Sequence, residues 1–208
     1  MPPGEGRFRT LLFNSSPILE AHFGVPAAGG ILVAINNRLA GPEIGHILGH
    51  SGARFLLLDA ELEPLVPPPA LASLTVLRCA RGDADSQYEQ CLAVASGETP
   101  GSWLADEEET ISINYTSRTT GQPKGVQYSY PGAYLNALSE VIVAGMSPES
   151  VYLWTLPMFH CNGRCFPDGN IELRDRSTPL PKTSTGKVQK FALREREWTG
   201  RETRVGTT

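Results

Sequence analysis

An α/β fold with a mainly parallel sheet is the expectation for this chain, and three observations predict it. Short apolar bursts alternate with helix-patterned stretches along most of its length, which is the rhythm of strand–helix–strand units. One burst, Phe55-Leu56-Leu57-Leu58-Asp59, is apolar without alternation, as a strand covered on both faces must be. The composition, 40% hydrophobic with 21 Gly and 17 Pro in 208 residues, is that of a loop-rich ordered chain rather than a disordered one. That length suits one domain, or one with a small appendage.

The elements follow in order. A helix runs from Pro17 to Ala28, with Pro17 early in it, where the missing N–H is no loss. Pro26 lies near its close. Ile31–Ile35 is a short strand. Pro42–His50 is a helix with Ile44, Ile47 and Leu48 on one face and Gly52 just beyond its end, a helix-stop signal. After the Phe55–Asp59 strand and prolines 67–69 come a strand at Leu74–Leu77 and a helix at Gln87–Ala95. The acidic hinge Asp106–Glu109 leads into a strand at Ile111–Tyr115. A Thr/Gly-rich loop, a strand at Val126–Tyr128, a helix from Pro131 to near Ala144 and a strand at Val151–Leu156, stopped by Pro157, continue the pattern. Beyond Gly163 the rhythm breaks, leaving one short strand at Ile171–Arg174, much loop, and a final helix at Val188–Glu197.

A formal charge of −4 gives no long-range attraction to nucleic acid or to an anionic membrane. The basic residues between Arg174 and Arg204 are interleaved with acidic ones and read as a solvated face. Met1–Thr10 has no apolar signal region, and no stretch is long enough to span a membrane, so the cytoplasm is the default compartment. Four cysteines (Cys79, Cys91, Cys161, Cys165) are then free thiols. His160-Cys161 with Cys165 fits no common zinc spacing and lacks a fourth ligand, so no metal site is expected. His46 and His50 sit four apart, but Ile47 stands where a zinc protease needs glutamate. They read as surface residues.

The most informative stretch is Tyr115-Thr116-Ser117-Arg118-Thr119-Thr120-Gly121-Gln122-Pro123-Lys124-Gly125. It follows a buried-type strand and gathers four hydroxyl side chains, two glycines and a lysine in one turn. Hydroxyls and backbone N–H groups can wrap phosphate oxygens, and lysine adds a point charge. Glycine permits the close approach such a nest needs. It is not a Walker A loop, since no Gly-Lys-Ser/Thr follows at the required offset. On composition alone, a polar hairpin with an exposed lysine remains open.

The run resembles the signature of the adenylate-forming superfamily, which includes acyl-CoA synthetases, luciferases and the adenylation domains of peptide synthetases. Val151-Tyr-Leu-Trp-Thr-Leu-Pro-Met-Phe-His-Cys-Asn-Gly163 resembles the segment beside the acyl pocket of fatty acid–CoA ligases. Pro181-Lys-Thr-Ser-Thr-Gly-Lys-Val-Gln-Lys190 is similar to the last core motif of that family, and Ser16–Asp59, with Glu20-Ala-His-Phe-Gly-Val-Pro26, to its early helix–strand units. The motifs stand in the family's order.

The resemblance implies an enzyme that joins a carboxylic acid, here a fatty acid, to ATP with release of pyrophosphate, then passes the acyl group from AMP to the thiol of CoA. An anionic carboxylate must attack an anionic α-phosphate, so positive charge has to sit where the transition state gathers negative charge. By resemblance Thr116, Ser117, Thr119, Thr120 and Gly121 cradle the β- and γ-phosphates, and Lys124 supports the loop or its charge. Lys187, on a small mobile C-terminal lid, bridges carboxylate and α-phosphate; without the motif it reads as a surface lysine at a helix start capped by Thr185. His160 lies near the acyl pocket or is a core-edge histidine. Arg176 matches an arginine that contacts ribose hydroxyls. ATP, Mg2+ and CoA are the implied cofactors.

Several positions depart from the family pattern. Arg118 stands where glycine is usual, and a side chain in a left-handed conformation costs about 1–2 kcal/mol. Tyr130 replaces a histidine and Arg164 a tryptophan. No Thr-Glu dipeptide supplies the magnesium-holding glutamate, and each Thr-Gly is followed by Gln, Lys or Arg instead of the ribose-binding aspartate. Only residues 164–180 separate Gly163 from Pro181, where the family has a far longer stretch. The expected architecture is therefore an incomplete N-terminal AMP-binding domain over residues 1–165, lacking the family's earliest strands, and a remnant of the C-terminal lid over 166–208. A sheet missing neighbours is exposed to pairing with another chain. Three readings stay open beside the ligase: a nucleotide-binding module without turnover, an interaction fragment, and a gene remnant.

Overall fold

The computed structural model describes residues 6–52, 54–80, 82, 85–95, 97, 106–116 and 122–160. The expected domain boundary at 165/166, the strand at Ile171–Arg174 and the helix at Val188–Glu197 lie outside them.

Six strands form one sheet: β1 (Arg7–Leu11), β2 (Ile31–Ala34), β3 (Phe55–Asp59), β4 (Thr75–Cys79), β5 (Thr110–Tyr115) and β6 (Gly125–Ser129). Their order across the sheet is β4-β3-β1-β2-β5-β6. All pairings are parallel except β5 with β6. Five helices accompany them: α1 (Ser16–Ala27), α2 (Gly41–His50), α3 (Pro68–Ala72), α4 (Gln87–Ala93) and α5 (Tyr130–Val143), with a 3-10 turn at Ala60–Leu65.

The strand order dictates where the helices go. The connections β2-α2-β3 and β3-α3-β4 move one way across the sheet, while β1-α1-β2 and β4-α4-β5 move back. A uniform hand of crossover requires opposite faces for the two directions, and the cores obey. On one face Leu11, Val33, Ile35, Leu56, Leu58 and Ile113 pack with Ile44, Ile47 and Leu48 of α2 and with Leu62 and Val66. On the other, Leu12 and Ala34 pack with Ile18 of α1, Tyr88 of α4, Met158 and Phe159. Each fully buried aliphatic side chain contributes about 1.5–3 kcal/mol, so the two layers together hold the sheet. β3 is accordingly flanked by β1 and β4 and covered on both faces.

β1 was not expected as a strand, because Arg7 and Arg9 interrupt the apolar pattern. Arg9 is nevertheless 1% exposed. Its Nε donates to Ser51 Oγ at 2.6 Å, and Arg7 Nη1 donates to the Ser51 carbonyl at 2.9 Å. Ser51 follows α2, so both cations sit at the helix's carboxyl end, where the dipole favours them. Burial pulls the Arg9 guanidinium down to about 10. Gly52, at φ +64, then turns the chain in a conformation that glycine adopts without strain.

One expected strand is corrected. Val151–Leu156 carries no strand pairing. The Asn14 side chain holds the end of this segment, donating from Nδ2 to the Leu156 carbonyl at 2.8 Å and accepting from the Met158 N–H at 2.9 Å. With Trp154, Met158 and Phe159 packed on the α1 face of the sheet, the segment covers that face instead of extending the ladder.

Candidate functional site

β1, β2 and β5 run parallel, so their carboxyl ends share one edge of the sheet. Ligands of open α/β sheets bind outside such an edge. Here it is furnished with amides and hydroxyls: Asn14 after β1, Asn36 and Asn37 after β2, and Thr116 after β5. Asn37 Nδ2 donates to the Leu12 carbonyl at 2.8 Å, tying the first two loops together.

The Thr/Gly-rich run is the loop of the β5–β6 hairpin. Tyr115 pairs with Gly125 and Asn114 with Val126. One step further, the Thr116 N–H donates to the Lys124 carbonyl at 3.0 Å, and the Lys124 N–H donates to Thr116 Oγ1 at 3.3 Å. Thr116 and Lys124 are both exposed and stand together at the mouth of the loop. Ser117, Thr119, Thr120 and Gly121 lie outside the described residues, as do Lys187 and Arg176. A Cβ on Gly125 would meet Ile113 Cγ2 at 2.8 Å, so glycine is what lets β6 lie close beneath the loop.

His160 is exposed at the end of a turn whose N–H donates to the Pro157 carbonyl at 3.1 Å. Because Asn14 grips the start of that turn, His160 is held at the same sheet edge as the hairpin, with β2 between the two strands involved. Tyr130 opens α5 and donates to the Pro26 carbonyl at 3.3 Å. Burial, then the Glu109 carboxylate, raises its phenol above the ordinary range.

Three positioning contacts were missed from the sequence. Asn14 is one. Gly125 is another, signalled only by its place in the motif. The third is Tyr115, whose hydroxyl meets His50 Nδ1 at 2.7 Å, with the His50 ring stacked on His46 at 5.5 Å. The two histidines read as plain surface residues therefore anchor the strand that delivers the loop.

At the same edge, Tyr88 donates to Glu20 Oε2 at 2.5 Å. Burial, reinforced by Asp59, Glu89 and Glu20, pushes the Cys79 thiol up to about 12; it is no nucleophile at neutral pH. Among the described residues, no three His, Cys, Asp or Glu side chains gather as metal ligands, and no helix is long and apolar enough to cross a membrane.

Known proteins match this arrangement. Residues 5–167 match the AMP-binding enzyme family. A peroxisomal acetate/butyrate–CoA ligase of Arabidopsis thaliana is 38% identical over an alignment of 176 positions that covers 74% of this chain and 31% of the relative. A 4-hydroxybutyrate–CoA ligase of Metallosphaera sedula is 33% identical over 198 residues, covering 88% and 36%. In structure, ATP-bound MatB from Rhodopseudomonas palustris superposes with a TM-score of 0.71 at 22% identity, over 83% of this chain and 34% of that one. The chain thus spans about a third of the length of the curated relatives it matches, and its sheet is the parallel-dominated sheet of the N-terminal domain of adenylate-forming enzymes. By the family match over most of its residues, the chain belongs to the AMP-binding enzymes.

Proposed function

We propose that this chain is an acid–CoA ligase segment that binds the phosphates of ATP at the 116–124 hairpin and takes an aliphatic carboxylic acid, a fatty acid of short to medium length, beside His160. The hairpin's position at the carboxyl edge of a parallel sheet, closed by Thr116 and Lys124, carries this reading. The acetate/butyrate and 4-hydroxybutyrate names of the relatives support the substrate class. Thr116, Ser117, Thr119, Thr120 and Gly121 would hold the β- and γ-phosphates, with Lys124 supplying charge at the loop mouth and Mg2+ entering on the nucleotide. Lys187 would bridge carboxylate and α-phosphate, and Arg176 would meet the ribose. The small C-terminal unit, 166–208, would deliver both, and CoA would accept the acyl group.

Carboxylate-dependent ATP–pyrophosphate exchange on the full chain tests this, with Lys187→Ala as the control and circular dichroism to establish folding. Exchange that Lys187→Ala abolishes is the expected result. A second reading, ATP binding without turnover, is favoured by the short 164–180 stretch and the missing Thr-Glu and Thr-Gly-Asp motifs. Mg-ATP binding with no exchange from a folded sample would select it, and no binding at all would end both.

A further inference from the structure

α2 carries two histidines one turn apart. His46 and His50 are four residues apart on a helix, so their side chains share one face. Their rings lie within 21° of parallel, with centroids 5.5 Å apart. The helix beneath them is fixed, because Ile44, Ile47 and Leu48 are buried in the main core. His46 is partly buried and His50 exposed. Gly49, beside the pair, faces open space, since a Cβ there would meet nothing within 4 Å.

Tyr115 sets one of the two rings. Its hydroxyl meets His50 Nδ1 at 2.7 Å, and its ring stands edge-on to the imidazole at 86° with centroids 5.8 Å apart. Burial raises the phenol above its ordinary range, so the hydroxyl stays protonated and is a hydrogen-bond partner rather than a metal ligand. When His50 gives its Nδ1–H to the phenol oxygen, its lone pair is on Nε2. A bond of this kind fixes the tautomer and the orientation of a metal-ligating histidine.

We propose that His46 and His50 bind one divalent transition-metal ion of the copper, nickel or zinc class, with Tyr115 as the positioning residue and water completing the coordination. Two imidazoles bound to one ion through nitrogens about 2 Å from it, at a tetrahedral angle, hold their ring centres about 5 Å apart. The observed 5.5 Å is close to that, so turning the rings brings both nitrogens to the ion without moving the helix. Zinc proteases use the same spacing for two of their ligands. Among the described residues no third His, Cys, Asp or Glu joins the pair. Two neutral nitrogens select a nitrogen-seeking ion, whereas magnesium and calcium need oxygen ligands. Arg7 and Arg9, bonded to Ser51 at the end of the same helix, likewise oppose an ion held by charge alone. The site is independent of the ligase reading.

Calorimetric titration of the full chain with Ni2+ is the test, in a background of Cys91→Ser, Cys161→Ser and Cys165→Ser that leaves the buried Cys79 as its one thiol. One ion per chain is expected. His46→Gln and His50→Gln should each weaken binding about a hundredfold, because a chelate cut to one ligand loses its intramolecular second step. Tyr115→Phe keeps both ligands and should weaken binding by a smaller factor, up to about tenfold. Electron paramagnetic resonance of the Cu2+-loaded chain should show two coupled nitrogens, and one fewer in either glutamine variant. The signal of the chain with both histidines decides the matter should a variant lose its helical spectrum. No heat of binding, an affinity unaltered by both glutamine substitutions, or a single coupled nitrogen overturns the proposal. An affinity unchanged in Tyr115→Phe overturns the part assigned to Tyr115.

Discussion

Thr116 and Lys124 clasp each other through two hydrogen bonds, backbone to backbone at 3.0 Å and backbone to hydroxyl at 3.3 Å. The clasp sets the width of the loop mouth, and half of it depends on a side-chain hydroxyl. Thr116→Val keeps the β-branched shape and removes that acceptor. Since the site is exposed, stability should change by no more than about 1 kcal/mol. ATP affinity, measured by calorimetry, should fall at least tenfold. Unchanged affinity would separate the clasp from nucleotide binding.

Gly125→Ala places a methyl group 2.8 Å from Ile113 Cγ2 and 3.4 Å from Tyr115 Cζ. Ile113 belongs to the main core and cannot easily retreat, so urea unfolding should show a loss of about 1–3 kcal/mol. Combining it with Ile113→Ala should cost less than the two single losses added together, because the cavity accepts the methyl group.

Asn14→Ala removes both bonds to the 156–158 backbone. A loss of about 1–3 kcal/mol is expected, as two peptide groups lose their partner. Protease cleavage between 150 and 160 should accelerate well before global unfolding. Cleavage at the wild-type rate would show that apolar packing alone holds this segment.

Alkaline titration should weaken the fold. The Cys79 thiol, at 9.0 in the unfolded reference and about 12 when folded, is neutral in the native state. Its contribution is complete below pH 9 and is lost as pH rises from there towards 12. Tyr88, raised by burial and its bond to Glu20, acts in the same direction. The melting temperature should therefore fall above pH 9, and Cys79→Ala should make that fall shallower.

Arg9 and Ser51 offer a double-mutant test. Ser51→Ala strips a buried guanidinium of its acceptor and should cost about 1–3 kcal/mol. Arg9→Met replaces the buried charge with an apolar chain of similar length and should be near neutral. In the Arg9→Met background, Ser51→Ala should cost clearly less than it does alone.

β2, β3 and β5 were legible because each is a short apolar run bounded by turn residues, and β3 was read to the residue. β1 was not, since two of its five positions are arginines whose acceptors lie in Ser51, more than forty residues on. Val151–Leu156 misled for the converse reason: its side chains suit a strand, but its backbone is claimed by Asn14, 142 positions away. The loop announced itself by hydroxyls, glycines and a lysine in one turn. The contacts that aim it, Tyr115 with His50 and Gly125 against Ile113, arise only when the sheet brings distant segments together, and no local pattern records them.

β1 lies in the middle of the sheet, between β3 and β2, although both neighbours follow it in the chain. Until residue 34 has emerged from the ribosome it has neither of them to lie against, so nascent chains must carry Arg7–Leu11 without its native pairing. Loss of these five residues would remove the keel of the sheet rather than trim its rim.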